Sequence, residues 1–163
     1  MTQKLLDLAG IGAARLHLAW VSSAEAQRFV EVVTDTTAAV KEQGPFDTVA
    51  FADALQAAEA TLTGETLRWM VGKEVAITTK GDVYGRKWDI NTFESILDRI
   101  LEREYHKNLI LQAIKNGKTS VRDISASIGL DLQRVSYMLA DMEKASMVEF
   151  KGMEDCKPVF GAL

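Results

Sequence analysis

The sequence predicts an α+β, mostly helical chain: an N-terminal β-α remnant with helices and a hairpin over residues 1–89, then a C-terminal winged helix-turn-helix over residues 90–163. Three observations carry this prediction. Apolar residues recur at helical spacing through most of the chain, while period-two alternation is confined to short stretches. One such stretch, "RLHLAWV", feeds directly into a helical pattern, as in an open α/β sheet. The chain then finishes in the order helix, helix, glycine turn, helix and alternating hairpin.

The elements follow in order. Leu5, Leu6 and Leu8 give a short amphipathic helix closed by Gly10, whose missing Cβ suits a left-handed cap. A strand over Arg15–Val21 alternates through Leu16, Leu18 and Trp20. Ser22 or Ser23 caps the next helix, with Glu25 near its positive dipole end. That helix carries Ala26, Phe29, Val30 and Val33 and runs to about Gln43, where Gly44-Pro45 stops it. Asp47 or Thr48 starts another, with an inner stripe of Val49, Ala52, Leu55, Ala58 and Leu62, ended by Gly64. "ETLRWMVGKE" adds one or two helical turns.

β-Branched and aromatic residues around Lys80-Gly81-Asp82 predict a hairpin between Val75 and Trp88. Asn91 or Thr92 caps a long helix whose face holds Phe93, Ile96, Leu97, Ile100, Tyr105, Leu109 and Ile114, with Gly117 at its end. Ser120, with Asp123 three residues on, starts a helix with Val121, Ile124 and Ile128 inward, and Gly129 turns the chain. Asp131 caps the helix Leu132–Ala145, with Val135, Met138, Leu139 and Met142 inward. "MVEFKGMEDCKPVFGAL" alternates, turns at Glu154–Lys157 and alternates again.

Composition bounds the function. The 163 residues are 47% hydrophobic and only two are proline, so real cores are expected and long disordered tracts are not. The net charge of −4 gives no general attraction for nucleic acid or anionic membrane. A single cysteine, Cys156, leaves no internal disulfide and no multi-cysteine metal or iron–sulfur site. The start, "MTQKLLDLAGIG", does not read as a signal peptide, and no apolar run spans a bilayer, so a cytoplasmic protein is expected.

Catalysis by the chain itself is not expected. His17 lies in the strand, and neither Ser22 nor Ser23 has a His–Asp pair in view. His106 follows Glu102 and Glu104 on a helix without further metal ligands. Lys157 beside Cys156 favours its thiolate, but Glu154 and Asp155 oppose that. "GDVYGRK" lacks the strand–glycine–helix order of a phosphate loop.

The winged helix-turn-helix leaves two uses open. As a DNA reader it presents Gln133, Arg134, Ser136 and Tyr137 to the major groove, with Lys118, Arg122, Lys151 and Lys157 on the flanks. Charge opposes this use. Residues 90–163 carry ten Lys or Arg against eleven Asp or Glu, whereas DNA affinity rests on neutralising phosphates. As a docking module the same elements hold another protein. In the first half, a strand and one helix leave sheet edges unpaired, so either the hairpin near Val75–Trp88 or a partner must cover them. Trp20, Phe29 and Trp69 are the large groups of that candidate partner interface.

"RLHLAWVSSAEAQRFVEVVTDTTAAVKEQGP" resembles the tail of the delta subunit of methyl-viologen-reducing hydrogenases, the small iron–sulfur subunit joining hydrogenase to heterodisulfide reductase. The resemblance is carried by Arg15, Leu16, Leu18, Trp20, Ser22, Ser23, Phe29, Val32 and Gly44-Pro45, and "LLDLAGI" extends it to residues 4–45. More loosely, "LRWMVGKE" and "GDVYGRKW" resemble extensions of bacterial relatives. The family's cluster cysteines lie upstream of this tail, and no residue here matches them. The resemblance therefore implies a cluster-free, non-catalytic accessory subunit. Its partners would be iron–sulfur oxidoreductase subunits, with any iron–sulfur cluster or flavin held there and no cofactor in this chain. The alternative is a DNA-binding regulator whose front half senses or dimerises, with a homodimer as its assembly.

Overall fold

The computed structural model describes residues 1–163, which divide into two compact units, Met1–Ala52 and Asp53–Leu163. The fold is α+β and mostly helical, with a two-stranded antiparallel hairpin at the end of the chain. No helix is long and apolar enough to cross a membrane.

The first unit holds α1 (Thr2–Leu8), a 3-10 turn (Ala13–Arg15) and α2 (Ala26–Gln43). Gly10 follows α1 at φ 71, a left-handed conformation that costs glycine little. The expected strand over Arg15–Val21 does not form. Leu16 is extended, but residues 17–21 make no backbone–backbone hydrogen bond and belong to no sheet. Alternation only proposes a strand; a ladder needs a neighbour to receive its N–H and C=O groups, and no neighbouring strand lies alongside. The β-α remnant expected at the front is thus a helix preceded by irregular chain.

Capping of α2 also differs from expectation. Its N-cap is Glu25, not a serine, and the Glu25 carboxylate reaches back to accept from the Ser22 backbone N–H at 2.9 Å. At the other end Gly44 stops the helix as expected. Arg15 closes that end, donating to the carbonyls of Gln43 (3.2 Å) and Gly44 (3.4 Å) while its guanidinium lies 5.2 Å from the Phe46 ring centroid.

The second unit begins with α3 (Ala52–Thr63, shared at its first residue) and α4 (Glu65–Val75). Of the expected stripe of α3, Ala58 is buried and Ala52 and Leu55 are half-buried, whereas Val49 precedes the helix and is exposed, as is Leu62; Ala57 and Thr61 complete the buried face. Thr61 tolerates burial because its hydroxyl donates to the Ala57 carbonyl and accepts from Asn108.

The hairpin expected between Val75 and Trp88 is absent. Helix α4 runs on into one wider π turn, Ala76–Lys80, and a loop follows. Asp82 organises that loop: its carboxylate accepts from the backbone of Tyr84 and Arg86 and from the Arg86 guanidinium. One aspartate thereby satisfies the turn that strand pairing would otherwise have to close.

Helix α5 (Ile90–Lys115) is capped by Asp89, which accepts from the Thr92 N–H at 2.9 Å, in place of Asn91 or Thr92. Its buried face is Phe93, Leu97, Leu101, Tyr105, His106, Ile110, Ala113 and Ile114. The remaining elements follow the sequence closely. Ser120 caps α6 (Val121–Ile128) by accepting from Asp123 N–H, and Gly129 turns at φ 68. Asp131 caps α7 (Leu132–Lys144) by accepting from Gln133 and Arg134. Strands β1 (Val148–Glu154) and β2 (Lys157–Ala162) pair antiparallel, with Asp155 and Cys156 both at positive φ in a two-residue turn. Ile110, Ile114, Val121, Ile124, Val135, Leu139, Met142 and Val148 form one core where α5, α6, α7 and β1 meet.

Candidate functional site

Two surfaces bear the residues singled out in the sequence. In the first unit, irregular residues 17–21 leave their backbone groups to solvent and lead into α2, none of whose residues is buried. Trp20 is 92% exposed and Leu18 79%; Phe29, Val30, Val33 and Val40 are exposed along the helix. Leu18, Trp20, Phe29, Val30, Val33 and Val40 are thus bare apolar side chains within one small unit. Trp69, the third aromatic of the expected interface, is also exposed but sits on α4 in the second unit. The fold thus places Trp20 and Phe29 in one unit and Trp69 in the other.

In the second unit, the candidate DNA-contacting residues lie on the loop before α6 (Lys118), on α6 (Arg122), on α7 (Gln133, Arg134, Ser136, Tyr137) and on the hairpin (Lys151, Lys157), and all eight are exposed. Gln133 donates to the Tyr137 hydroxyl at 3.4 Å. Arg134, although exposed, is paired within the chain: it donates to Glu102 Oε1 at 2.6 Å and lies 3.2 Å from His106 Nδ1. Lys151 pairs with Glu149. Further along the same helix, Asp141 receives Arg103 at 3.0 Å. Acidic partners therefore engage the central cation and one wing cation, leaving Lys118, Arg122 and Lys157 at the margins.

The Arg134 cluster is the part of this site that the sequence does not reveal. His106 is buried, and its pKa is lowered first by desolvation and then by the neighbouring Arg134 charge, with Glu102 opposing. A guanidinium only donates, so a hydrogen bond from Arg134 requires Nδ1 of His106 to be the unprotonated ring nitrogen. The sole sequence signal is a histidine on a helix face that also carries Glu102, one turn earlier.

No group of three or more His, Cys, Asp or Glu side chains is placed to hold a metal ion. Cys156 is exposed in the hairpin turn. His17 lies on the irregular segment and is exposed.

Residues 1–44 match the family model for the methyl-viologen-reducing hydrogenase, delta subunit. The matched stretch ends at the Gly44 stop of α2 and so lies wholly within the first unit. No curated protein and no solved structure matches the chain. The matched residues include no cysteine, so an iron–sulfur cluster would find no thiolate ligand among them.

Proposed function

We propose that this chain is a non-catalytic, cluster-free accessory subunit of a cytoplasmic electron-transfer complex of the hydrogenase and heterodisulfide reductase type. The observation that carries the reading is a coincidence of two findings. The hydrogenase-delta match covers residues 1–44, and the same stretch bares Leu18, Trp20 and Phe29 to solvent. Aromatic side chains of this kind, once covered by a partner, dominate the energetics of many interfaces. Iron–sulfur oxidoreductase subunits are the partners, and clusters or flavin reside in them.

In this reading α6, the Gly129 turn, α7 and the terminal hairpin act as a winged helix that docks a second component of the assembly. What supports that use over DNA is charge: residues 90–163 carry ten Lys or Arg against eleven Asp or Glu, and Glu102 and Glu149 sit beside two of the candidate cations, Arg134 and Lys151.

Affinity purification of the full chain from its native cells tests the proposal. The expected result is co-recovery of iron–sulfur oxidoreductase subunits in fixed stoichiometry, reduced at least tenfold by Trp20→Ala. Recovery of the chain without such subunits, together with sequence-specific binding to promoter DNA, would overturn it in favour of a regulator.

A further inference from the structure

The loop after α4 folds back on the π turn that ends the helix. The Gly81 N–H donates to the Ala76 carbonyl at 2.8 Å, and further on the Trp88 N–H donates to the Ile77 carbonyl at 3.2 Å. Between them Asp82 ties the loop to itself. Its N–H donates to the Arg86 carbonyl at 2.9 Å, and its carboxylate accepts from the backbone of Tyr84 and Arg86. Only glycine fits the start of this return: Gly81 has φ 82, and a Cβ there would lie 2.9 Å from the Arg86 carbonyl oxygen. A cleft of about 430 Å³ lies between loop and π turn. Its lining is Ala76, Ile77 and Gly81, half-buried, and Asp82, Arg86 and Trp88, exposed. That volume lies within the range of small-molecule sites, and π turns recur at functional positions in helices.

The lining decides what fits. The Asp82 carboxylate is already spent, since besides the two backbone N–H groups it takes the Arg86 guanidinium through Nε and Nη2, each at 2.7 Å. Those bonds leave Nη1 of Arg86 for another acceptor. The guanidinium also lies 5.0 Å from the Tyr84 ring centroid, so its position is fixed from two sides. Lys80 and Lys87 add charge: residues 80–88 carry three cations against one carboxylate, in a chain of net charge −4. Trp88, Ile77 and Ala76 supply apolar surface beside them. A bare inorganic anion would leave that surface wet, and an uncharged ring would leave Nη1 unused. A cation would meet a filled carboxylate and three like charges.

We propose that this cleft binds a small planar anion, its ring against Trp88 and Ile77 and its carboxylate or phosphate on Nη1 of Arg86. The loop preorganises the site, because Asp82 orders Arg86 before any ligand arrives. The cleft belongs to the second unit, outside the residues 1–44 on which the accessory-subunit reading rests, so the two stand or fall separately.

NMR of the tryptophan indole N–H signals of the full chain tests this, with Trp20 and Trp69, also exposed, reporting non-specific stacking. The probes are naphthoate and adenosine monophosphate; naphthamide lacks the charge and acetate lacks the ring. The expected result is a saturable shift of the Trp88 signal with one or both anions, at a dissociation constant of about 1 mM or below. Naphthamide and acetate should bind at least tenfold more weakly, and the tighter of the two anions tells carboxylate from phosphate. Arg86→Gln keeps the backbone N–H that Asp82 accepts, and should weaken the bound anion at least tenfold while leaving naphthamide unchanged. Ala76→Leu fills the cleft from a good helix former and should abolish the shift with unchanged helical circular dichroism. No saturable Trp88 shift with either anion overturns the proposal. So do shifts of Trp20 and Trp69 as large as that of Trp88, or anion affinity unchanged in Arg86→Gln.

Discussion

The Arg134 guanidinium bridges two helices, donating from α7 to Glu102 Oε1 on α5 at 2.6 Å and lying 3.2 Å from His106 Nδ1 on that helix. A residue that sequence periodicity places on an outward, polar face is in fact bound to its own fold.

Stability should therefore depend on pH through His106. Burial and the Arg134 charge hold its pKa below the ordinary 6.5, so between the two values the unfolded chain binds more protons than the folded one. Stability is full above 6.5 and is lost as pH falls through the folded value. Urea midpoints at about pH 5 and about pH 7.5 should differ in that direction, and His106→Gln should shrink the difference. A midpoint that rises on acidification would contradict the geometry.

Arg134→Ala removes one of the two causes of the His106 shift and leaves Glu102, which acts the other way. The His106 midpoint, followed by NMR on the ring protons, should move upward. The loss of stability should be modest, about 1 kcal/mol or less, because both partners of the ion pair are partly solvated.

Ser120 caps α6 with its hydroxyl, accepting from Asp123 N–H at 3.1 Å while donating to the Asp123 carboxylate at 2.7 Å. Ser120→Ala should cost about 1 kcal/mol in chemical denaturation, and Ser120→Thr, which keeps a hydroxyl able to accept and to donate, should recover most of it. Equal stability of the alanine variant would show that the cap is immaterial.

Leu139 is fully buried in the core shared by α5, α6, α7 and β1, whereas Tyr137, two residues earlier, is 67% exposed. Leu139→Ala should cost about 2–5 kcal/mol and Tyr137→Ala within about 0.5 kcal/mol. Thermal and urea unfolding of the two variants side by side read this contrast directly.

Trp20→Ala should leave the unfolding midpoint of the isolated chain within about 0.5 kcal/mol of wild type, because a ring 92% exposed contributes little to its own fold. A large loss would mean that Trp20 packs against this chain after all, and would remove the anchor from the proposed interface.

What could be read ahead of the structure was local. Ser120 and Asp131 cap their helices through atoms two or three residues away, Gly44 and Gly129 stop helices through their own backbone freedom, and the Asp155-Cys156 turn joins strands adjacent in sequence. Asp89 took the cap expected at Asn91 or Thr92 because its carboxylate reaches the Thr92 N–H, whereas Glu25 holds the N-cap position of α2 without a side-chain cap, its carboxylate turned back to the Ser22 N–H. The alternating stretch Arg15–Val21 and the β-branched run near Val75 misled for a different reason. Strand character belongs to a pair of segments, and neither stretch found its pair: one stayed irregular, and the other continued as a π turn closed by Asp82.

The sequence by itself determined where helices start and stop and which side chains of the last two helices face inward, since both follow from contacts within a few residues. Tertiary structure decided which cations remain free and which apolar side chains remain bare. Glu102 and His106 lie about thirty residues from Arg134 in the chain, and only folding brings them within hydrogen-bond reach. Phe29, Val30 and Val33 of α2 are written in the sequence as a helical apolar pattern, but whether they face core or solvent is set by how the rest of the first unit covers the helix.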